Sequence, residues 1–383
     1  MPKALDLLAD LVQNPAFRKE DVERVRGLKL TQLEQKKASI GALANDEANR
    51  ILYGDQHPWG QPSGGTPQSI GAITSDDLAK YHDAWWVPNN AVIAVSGDIK
   101  TAEVVKLLDK AFAGWKAKPL SKVTLPALPN LTERSIDAVE KPTATQSQVW
   151  VVGRLFPASS PDAVTMRLAN LILGGFFTSR LNMNLREKHG YSYGVRSGAN
   201  LMRNTGSLTA AGGIVAKNTV DALGEYEKEL TIFSSGEVTD EELAAAKELF
   251  IRSVPSSLET NDAVASAMTN LVSLKLPLDN YKTLAARTLK VTKQDVARVA
   301  RKWITPARFP VVIVGPVGQS KDALDKLGFG KVTLVPAASG APAQKPGANG
   351  GPGPAAAPQG AQPQQGTAAP APAQSGAVAA PAK

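Results

Sequence analysis

Residues capable of metal or acid-base chemistry are few in this 383-residue chain. It has three histidines, His57, His82 and His189, and no cysteine. No two histidines stand four residues apart, the spacing that puts two imidazoles on one face of a helix, so neither HExxH nor HxxEH is present. The lack of cysteine excludes disulfides and thiolate metal sites. The residues alone therefore do not build a standard zinc-hydrolase site.

The segment with the most chemical potential is GGFFTSRLNMNLREKHGYSYGVRSG, residues 174–198. Its pattern predicts a helix stop at the paired glycines, then a short amphipathic helix that ends at Lys188, a C-cap at Gly190, and a strand. The segment is aromatic and basic where the chain changes direction. Such a placement can aim Arg186 and Tyr193 toward one cleft, and a plain capped helix before a strand is the alternative interpretation.

Composition narrows the class of protein. The net charge of +8 comes from 43 basic and 35 acidic residues that are interspersed, as at residues 19–21, which argues against a nucleic-acid-binding stripe. No apolar run approaches the roughly 18 residues of a membrane span, and the first residues do not follow a signal-peptide plan. Residues 336–383 are rich in Ala, Pro and Gln and are predicted to be disordered.

Two distant stretches share one plan at a constant offset of 218 residues. One begins at Thr74 and the other at Val291, and Pro88 matches Pro306 just as Gly97 matches Gly315. Each predicts a capped helix, a turn marked by proline and a buried strand that ends at glycine. The helix starts at residues 17–30 and 238–251 form a second pair, so the chain is predicted to be an internal duplication.

The duplication predicts the domain limits. A partial first domain covers residues 1–115, a proline-marked linker 116–131, a complete second domain 132–335, and the tail 336–383. The second copy has roughly 90 residues before its matched helix, against about 16 in the first copy. Either the first domain is a true half-domain, or the sequence begins inside a longer gene product.

These segments resemble the pitrilysin/insulinase family of zinc metallopeptidases, which includes mitochondrial processing peptidase. Arg186 in LRE with Tyr193 seven residues later resembles the signature of the family's C-terminal half, and the ALDLLADLVQNPAF and NNAVIAVSGDI stretches resemble parts of its first half. The resemblance implies an α+β fold of two related domains, each a mainly antiparallel sheet covered by helices, with the first incomplete at its N-terminus. It also implies that Arg186 and Tyr193 hold the substrate backbone and stabilise the oxyanion.

Departures from the family pattern bear on the mechanism. The HxxEH helix would precede this sequence, and the place of the family's third zinc ligand, a glutamate, is taken by Gln32, a neutral and poor ligand. Glu34 lies two positions on and faces another side of the helix. The resemblance therefore implies the non-zinc partner type, with no cofactor in this chain and zinc on a second subunit of the same family in a heterodimer.

The leading prediction is a peptidase-family subunit that binds extended peptides or unfolded protein and supplies Arg186 and Tyr193 to a zinc-bearing partner. One alternative is a non-enzymatic scaffold subunit of an envelope or membrane-associated complex. Another is a self-sufficient peptidase with unusual metal ligands. The compartment stays open: a periplasmic or envelope location is expected if an export signal precedes Met1, and a cytoplasmic one otherwise.

Overall fold

A computed structural model describes residues 2–335 of the chain. The tail predicted at 336–383 lies outside the described residues. Residues 2–111 form helices and the segments that connect them, without any strand. These helices are α1 (Pro2–Gln13), α2 (Lys19–Lys36), α3 (Ile40–Tyr53), α4 (Pro67–Ala72), α5 (Ser75–Trp85) and α6 (Thr101–Ala111).

All strands of the described residues lie in the second half of the chain. They are β1 (Ser135–Glu140), β2 (Gln146–Leu155), β3 (Ser192–Leu201), β4 (Gly206–Val215), β5 (Val311–Gly315) and β6 (Lys331–Val335). The helices among them are α7 (Ala163–Asn170), α8 (Arg180–Asn182), α9 (Thr219–Ser234), α10 (Asp240–Ser256), α11 (Asn261–Ser273), α12 (Asn280–Lys290), α13 (Lys293–Trp303) and α14 (Lys321–Lys326). Wider π-helical turns follow α7 at Leu171–Gly175 and α8 at Met183–Lys188.

The six strands form one sheet in the order β3-β4-β2-β5-β1-β6. β1 runs parallel to both of its neighbours, β5 and β6, whereas the other three pairings are antiparallel. This confirms the predicted α+β class. The sheet is mixed, with antiparallel pairs in the majority, and β3 and β6 are its edges.

One face of the sheet is covered by helices of the second half: α7 and α9 contact the strands, and α13 packs against both of these helices. Their apolar side chains recur at helical spacing, which places them on one face of each helix. The helix predicted from Thr219 and the strands predicted on either side of residues 204–206 are confirmed. The largest fully buried side chains on this face include Met166, Leu168, Leu208, Tyr226 and Phe233.

The opposite face is covered by α3, a helix of the first half. This helix begins at Ser39, whose Oγ accepts a hydrogen bond from the Ala42 amide at 3.3 Å. Its buried side chains are four residues apart and so line one stripe. They pack against valines of β1, β2 and β5, so the first half contributes directly to the core of the second. The residues in contact are Ala44, Ala48, Leu52, Tyr53, Val139, Val152, Val312 and Val314.

The predicted duplication is visible at the helix that opens each matched stretch. Thr74 and Asp77 form a capping box at the start of α5, and Thr292 and Asp295 form the same box at the start of α13. In both boxes the threonine Oγ accepts from the aspartate amide at 3.1 Å. A single 3-10 turn follows each helix, at Pro88–Asn90 and Pro306–Arg308.

The strand predicted after Pro88 is wrong. In the second copy, β5 is buried between β1 and β2, but residues 91–97 of the first copy are not in a strand, and Val92 and Ile93 are exposed. Backbone amide and carbonyl groups of a strand need a neighbouring strand, and the described residues before 91 provide none. The same sequence pattern therefore stays irregular in the first copy. The domain limits remain a prediction.

Candidate functional site

Tyr193 lies at a bulge in the edge strand β3. Ser192 is opposite Ile214 and Val195 opposite Gly212, so β3 holds one residue more than β4 between these pairs. Ser192 Oγ pins the bulge, because it accepts from the Gly194 amide at 3.0 Å and contacts the Gly213 carbonyl oxygen at 2.8 Å. A bulge re-aims side chains away from the regular alternation. Tyr193 is 85% exposed as a result.

Arg186 lies on the π-helical turn Met183–Lys188, which packs against β3. Leu185 is fully buried and anchors this turn, and the Tyr191 amide donates to the Leu185 carbonyl oxygen at 2.9 Å. Gly190 ends the turn with φ +64°, a left-handed conformation that favours glycine, as its sequence position predicts. The structure thus places Arg186 and Tyr193 on consecutive elements, with the Arg186 side chain 39% exposed.

Phe177 forms an aromatic surface beside Arg186. The guanidinium carbon of Arg186 lies 4.6 Å from the centre of the Phe177 ring, and that of Arg196 lies 6.0 Å from it. Arg186 Nε also lies 3.2 Å from an oxygen of Glu187. Stacking on a ring orients a guanidinium and leaves N–H groups at its rim able to donate to a peptide carbonyl. The aromatic and basic composition of residues 174–198 was the only sequence signal for Phe177 and Arg196.

A partly buried polar cluster also holds this turn. Asn184 Nδ2 donates to Glu225 at 2.8 Å and to Glu229 at 2.6 Å, which ties the turn to α9. Burial opposes ionisation of Glu225, but the Asn184 hydrogen bond and the charges of Lys228 and His189 outweigh it and lower the pKa of the Glu225 carboxyl. A surface cavity of about 420 Å³ lies beside this cluster, lined by Arg180, Met183, Asn184, Lys188, Lys228 and Glu229.

Residues that could ligate a metal are dispersed. His57 is buried and its Nδ1 accepts from the Trp59 amide at 3.2 Å, and burial lowers the pKa of this imidazole. His82 Nε2 lies 2.7 Å from the Val12 carbonyl oxygen, and His189 Nε2 lies 3.7 Å from Glu225. Gln32 is exposed on α2. Residues 2–335 contain no group of three His, Asp or Glu side chains arranged to hold a metal, so the described side chains do not fit a zinc ion.

Comparison with known proteins shows which family the chain resembles. Residues 72–250 match the family described as the peptidase M16 inactive domain. An uncharacterised zinc protease of Streptomyces coelicolor is 25% identical over 321 residues, which cover 83% of this chain and 70% of that protein. The zinc protease YmxG of Bacillus subtilis, also uncharacterised, is 24% identical over 318 residues, covering 82% of this chain and 75% of the relative.

A solved structure agrees with this assignment. The crystal structure of a peptidase M16 inactive domain from Pseudomonas fluorescens superposes with a TM-score of 0.75 at 27% identity, over 82% of this chain and 74% of that one. No helix within residues 2–335 is both long and apolar enough to cross a bilayer. The family predicted from residues 174–198 is therefore confirmed at the level of the matched domain: residues 72–250 match the peptidase M16 inactive domain, and 82% of the chain has the fold of a solved M16 inactive domain.

Proposed function

We propose that this chain is the substrate-holding subunit of a two-subunit peptidase, in which Arg186 and Tyr193 bind an extended peptide that a zinc-bearing partner subunit cleaves. One observation carries the proposal: the edge strand β3 presents an 85% exposed tyrosine at a bulge, next to an arginine stacked on the Phe177 ring. An exposed tyrosine on a bulge held by side-chain hydrogen bonds contributes little to the core, which favours a role in recognition.

The chemistry of the proposed role follows from the groups that face solvent. Within residues 2–335, β3 is an edge strand with no neighbouring strand on one side, and an extended peptide can add to such an edge. The Arg186 guanidinium would donate to a main-chain carbonyl oxygen, and the Tyr193 hydroxyl to the oxygen that becomes negative during hydrolysis. A zinc ion on the partner would supply the activated water.

A scaffold without turnover is the second candidate. It is favoured by the dispersed histidines of residues 2–335 and by a Helicobacter pylori relative named a non-peptidase homolog, 24% identical over 298 residues. A scaffold would assemble with a partner without using the Arg186 and Tyr193 side chains on peptide. Binding of peptide at these two residues therefore separates the two functions.

Peptide binding by the purified chain tests the proposal. Fluorescence anisotropy of a fluorescein-labelled, unfolded casein fragment reports the affinity. Arg186→Ala and Tyr193→Ala are each expected to weaken binding roughly tenfold, because each removes a hydrogen bond to the peptide, charge-assisted in the case of Arg186.

Arg203→Ala is the matched control. Arg203 is an exposed arginine on the turn between β3 and β4, in the same sheet. Its substitution should leave the peptide affinity unchanged. Wild-type affinity in both Arg186→Ala and Tyr193→Ala, or an equal loss in Arg203→Ala, would refute the proposed site.

A further inference from the structure

Asn182 is a fully buried polar residue beneath the candidate site. It is the last residue of α8 and has no exposed surface. Its Nδ2 donates to the Phe177 carbonyl oxygen at 2.7 Å, and its Oδ1 accepts from the Val195 amide at 3.1 Å. Both partners are main-chain groups outside α8. One side chain therefore joins the loop that carries Phe177 to the strand residue that closes the bulge at Tyr193.

The two bonds use both ends of the amide. A carbonyl oxygen requires a donor and an amide N–H requires an acceptor, so the partners fix the orientation of the Asn182 side chain. Asn182 is closed to solvent, so water does not replace either hydrogen bond when its side chain is removed. Each main-chain group left without a partner would then reduce the free energy of unfolding by about 1–3 kcal/mol.

The hydrogen bond between the Val195 amide and Asn182 Oδ1 lies at the end of the bulge. Between Ser192 and Val195 the regular pairing with β4 is interrupted, and the Val195 amide is directed to Asn182. Side chains on a strand alternate between faces, so a slip of one residue would turn an exposed side chain inward. Asn182 and Ser192 hold the two ends of the interruption and so set the direction of Tyr193.

The hydrogen bond from Asn182 to Phe177 also affects the position of Arg186. Asn182 holds the carbonyl of Phe177, and Arg196 Nη1 donates to the carbonyl of Phe176 at 3.0 Å. These bonds fix the loop on which the Phe177 ring is presented to Arg186. The position of the ring therefore depends on the same amide that holds the bulge.

We infer that Asn182 is a positioning residue that couples the Phe177–Arg186 stack to Tyr193, so that both substrate-holding groups keep one relative placement. The inference rests on the proposed peptide-binding role of Arg186 and Tyr193. Asn182 itself does not touch the peptide, since it is buried. It is distinct from a packing residue because its effect on binding passes through Arg186 and Tyr193.

A double-mutant cycle on peptide affinity tests this coupling. Asn182→Ala is expected to weaken binding of the labelled casein fragment roughly tenfold, yet to add less than about twofold when Arg186 and Tyr193 are both already alanine. Ser179→Ala is the matched control, because Ser179 is equally buried on the same loop and its Oγ has no hydrogen-bond partner among the described residues. Ser179→Ala should bind like the wild type.

Hydrogen exchange gives an independent readout. In Asn182→Ala the Val195 amide should exchange faster, while amides of the central strands β2 and β5 keep their protection. If Arg186→Ala and Tyr193→Ala bind like the wild type, the proposed function fails. If they weaken binding but Asn182→Ala does not, or if Asn182→Ala causes the same loss in the Arg186→Ala/Tyr193→Ala background as in the wild type, the coupling is wrong and the function stands.

Asn182→Asp keeps the test decisive if the alanine variant does not fold. An ionised aspartate still accepts from Val195 but does not donate to Phe177, whereas its protonated form does both. Burial raises the pKa of a carboxyl, so the variant should bind peptide better at about pH 5 than at about pH 7.5, relative to the wild type. If the affinity of Asn182→Asp relative to the wild type is the same at both pH values, the inference is overturned.

Discussion

At the scale of single residues, the candidate site depends on how an exposed arginine is held. A free arginine loses about 2 kcal/mol of side-chain entropy when it is fixed on a ligand. The Phe177 ring, 4.6 Å from the Arg186 guanidinium carbon, restricts that side chain before a peptide arrives. Phe177 is 47% exposed, so its own contribution to the core is limited.

Phe177→Ala is therefore expected to weaken peptide binding by about 0.5–1 kcal/mol, a two- to fivefold loss, through Arg186. Phe177→Trp should retain affinity, because tryptophan is the better partner for a cation. Anisotropy with the labelled casein fragment measures both. Leu289→Ala, a substitution of another exposed apolar residue, on α12, provides the control. Equal affinity of Phe177→Ala and wild type would contradict this role.

The sequence predicted some of these residues and missed others for definable reasons. Arg186 and Tyr193 stood out because they share a family spacing, and both side chains reach solvent in the structure. Phe177 is the second of two phenylalanines after the paired glycines and has the pattern of a core residue. Asn182 occupies a helical position where a polar residue normally faces water. Its two partners come from a loop and from a bulge, and local pattern does not reveal either contact.

At the scale of elements, α3 is the helix of the first half that covers one face of the sheet of the second half. Leu52 is 2% exposed and packs against the sheet together with Ala44 and Ala48. Leu52→Ala should lower the free energy of unfolding by about 2–5 kcal/mol, because it leaves a cavity on that face of the sheet. Urea unfolding measures the change.

Leu28→Ala serves as the comparison for Leu52→Ala. Leu28 lies on α2 and is 55% exposed, so its truncation should cost less than about 0.5 kcal/mol. If the two variants unfold at the same urea concentration, α3 does not hold the core as described.

The contact between α3 and β1 also introduces a pH dependence. Burial, together with the neighbouring Glu47 carboxylate, raises the pKa of Asp137 to about 6, although Arg50 opposes the shift. An acid whose pKa is raised on folding binds its proton more tightly in the folded state. Its contribution to stability is therefore fully present below the unfolded pKa, near 4, and is lost as pH rises through about 6.

Asp137→Asn should remove this loss of stability at higher pH, because asparagine donates to Glu47 and accepts from Arg50 as the protonated aspartate does. The wild type minus variant difference in unfolding free energy should fall by up to about 3 kcal/mol between about pH 4 and pH 7. Urea titrations at each pH measure it, with Asp21→Asn, an exposed change on α2, as control. A difference that is constant with pH would show that Asp137 titrates normally.

Sequence pattern was a sound guide to helices and a poorer one to strands. The capping boxes at Thr74 and Thr292 predict helix starts because the caps act locally. The prediction of a strand after Pro88 is wrong because a strand needs a neighbouring strand. The matching strand of the second copy, β5, has β1 and β2 as its neighbours. Likewise, the apolar stripe of α3 predicts a buried face without indicating the sheet on which it lies.

At the scale of the whole molecule, the two halves differ in how they cover apolar surface. The second half has a sheet with helices on one face and α3 on the other. Helices of the first half leave large apolar side chains exposed, among them Leu7, Leu8, Leu11 and Leu28. Apolar surface of this kind marks contact regions in soluble proteins.

The most direct test of the account is peptide cleavage by the assembled pair. The proposed zinc-bearing partner, captured from native cells with this chain as bait, would be combined with wild-type chain or with the Arg186→Ala/Tyr193→Phe variant. Turnover of an internally quenched casein peptide would then be measured. The account predicts an intact complex with unchanged zinc content and a kcat that is lower by roughly a hundredfold in the variant. Unchanged turnover by the variant pair, or no turnover by the wild-type pair, would contradict it.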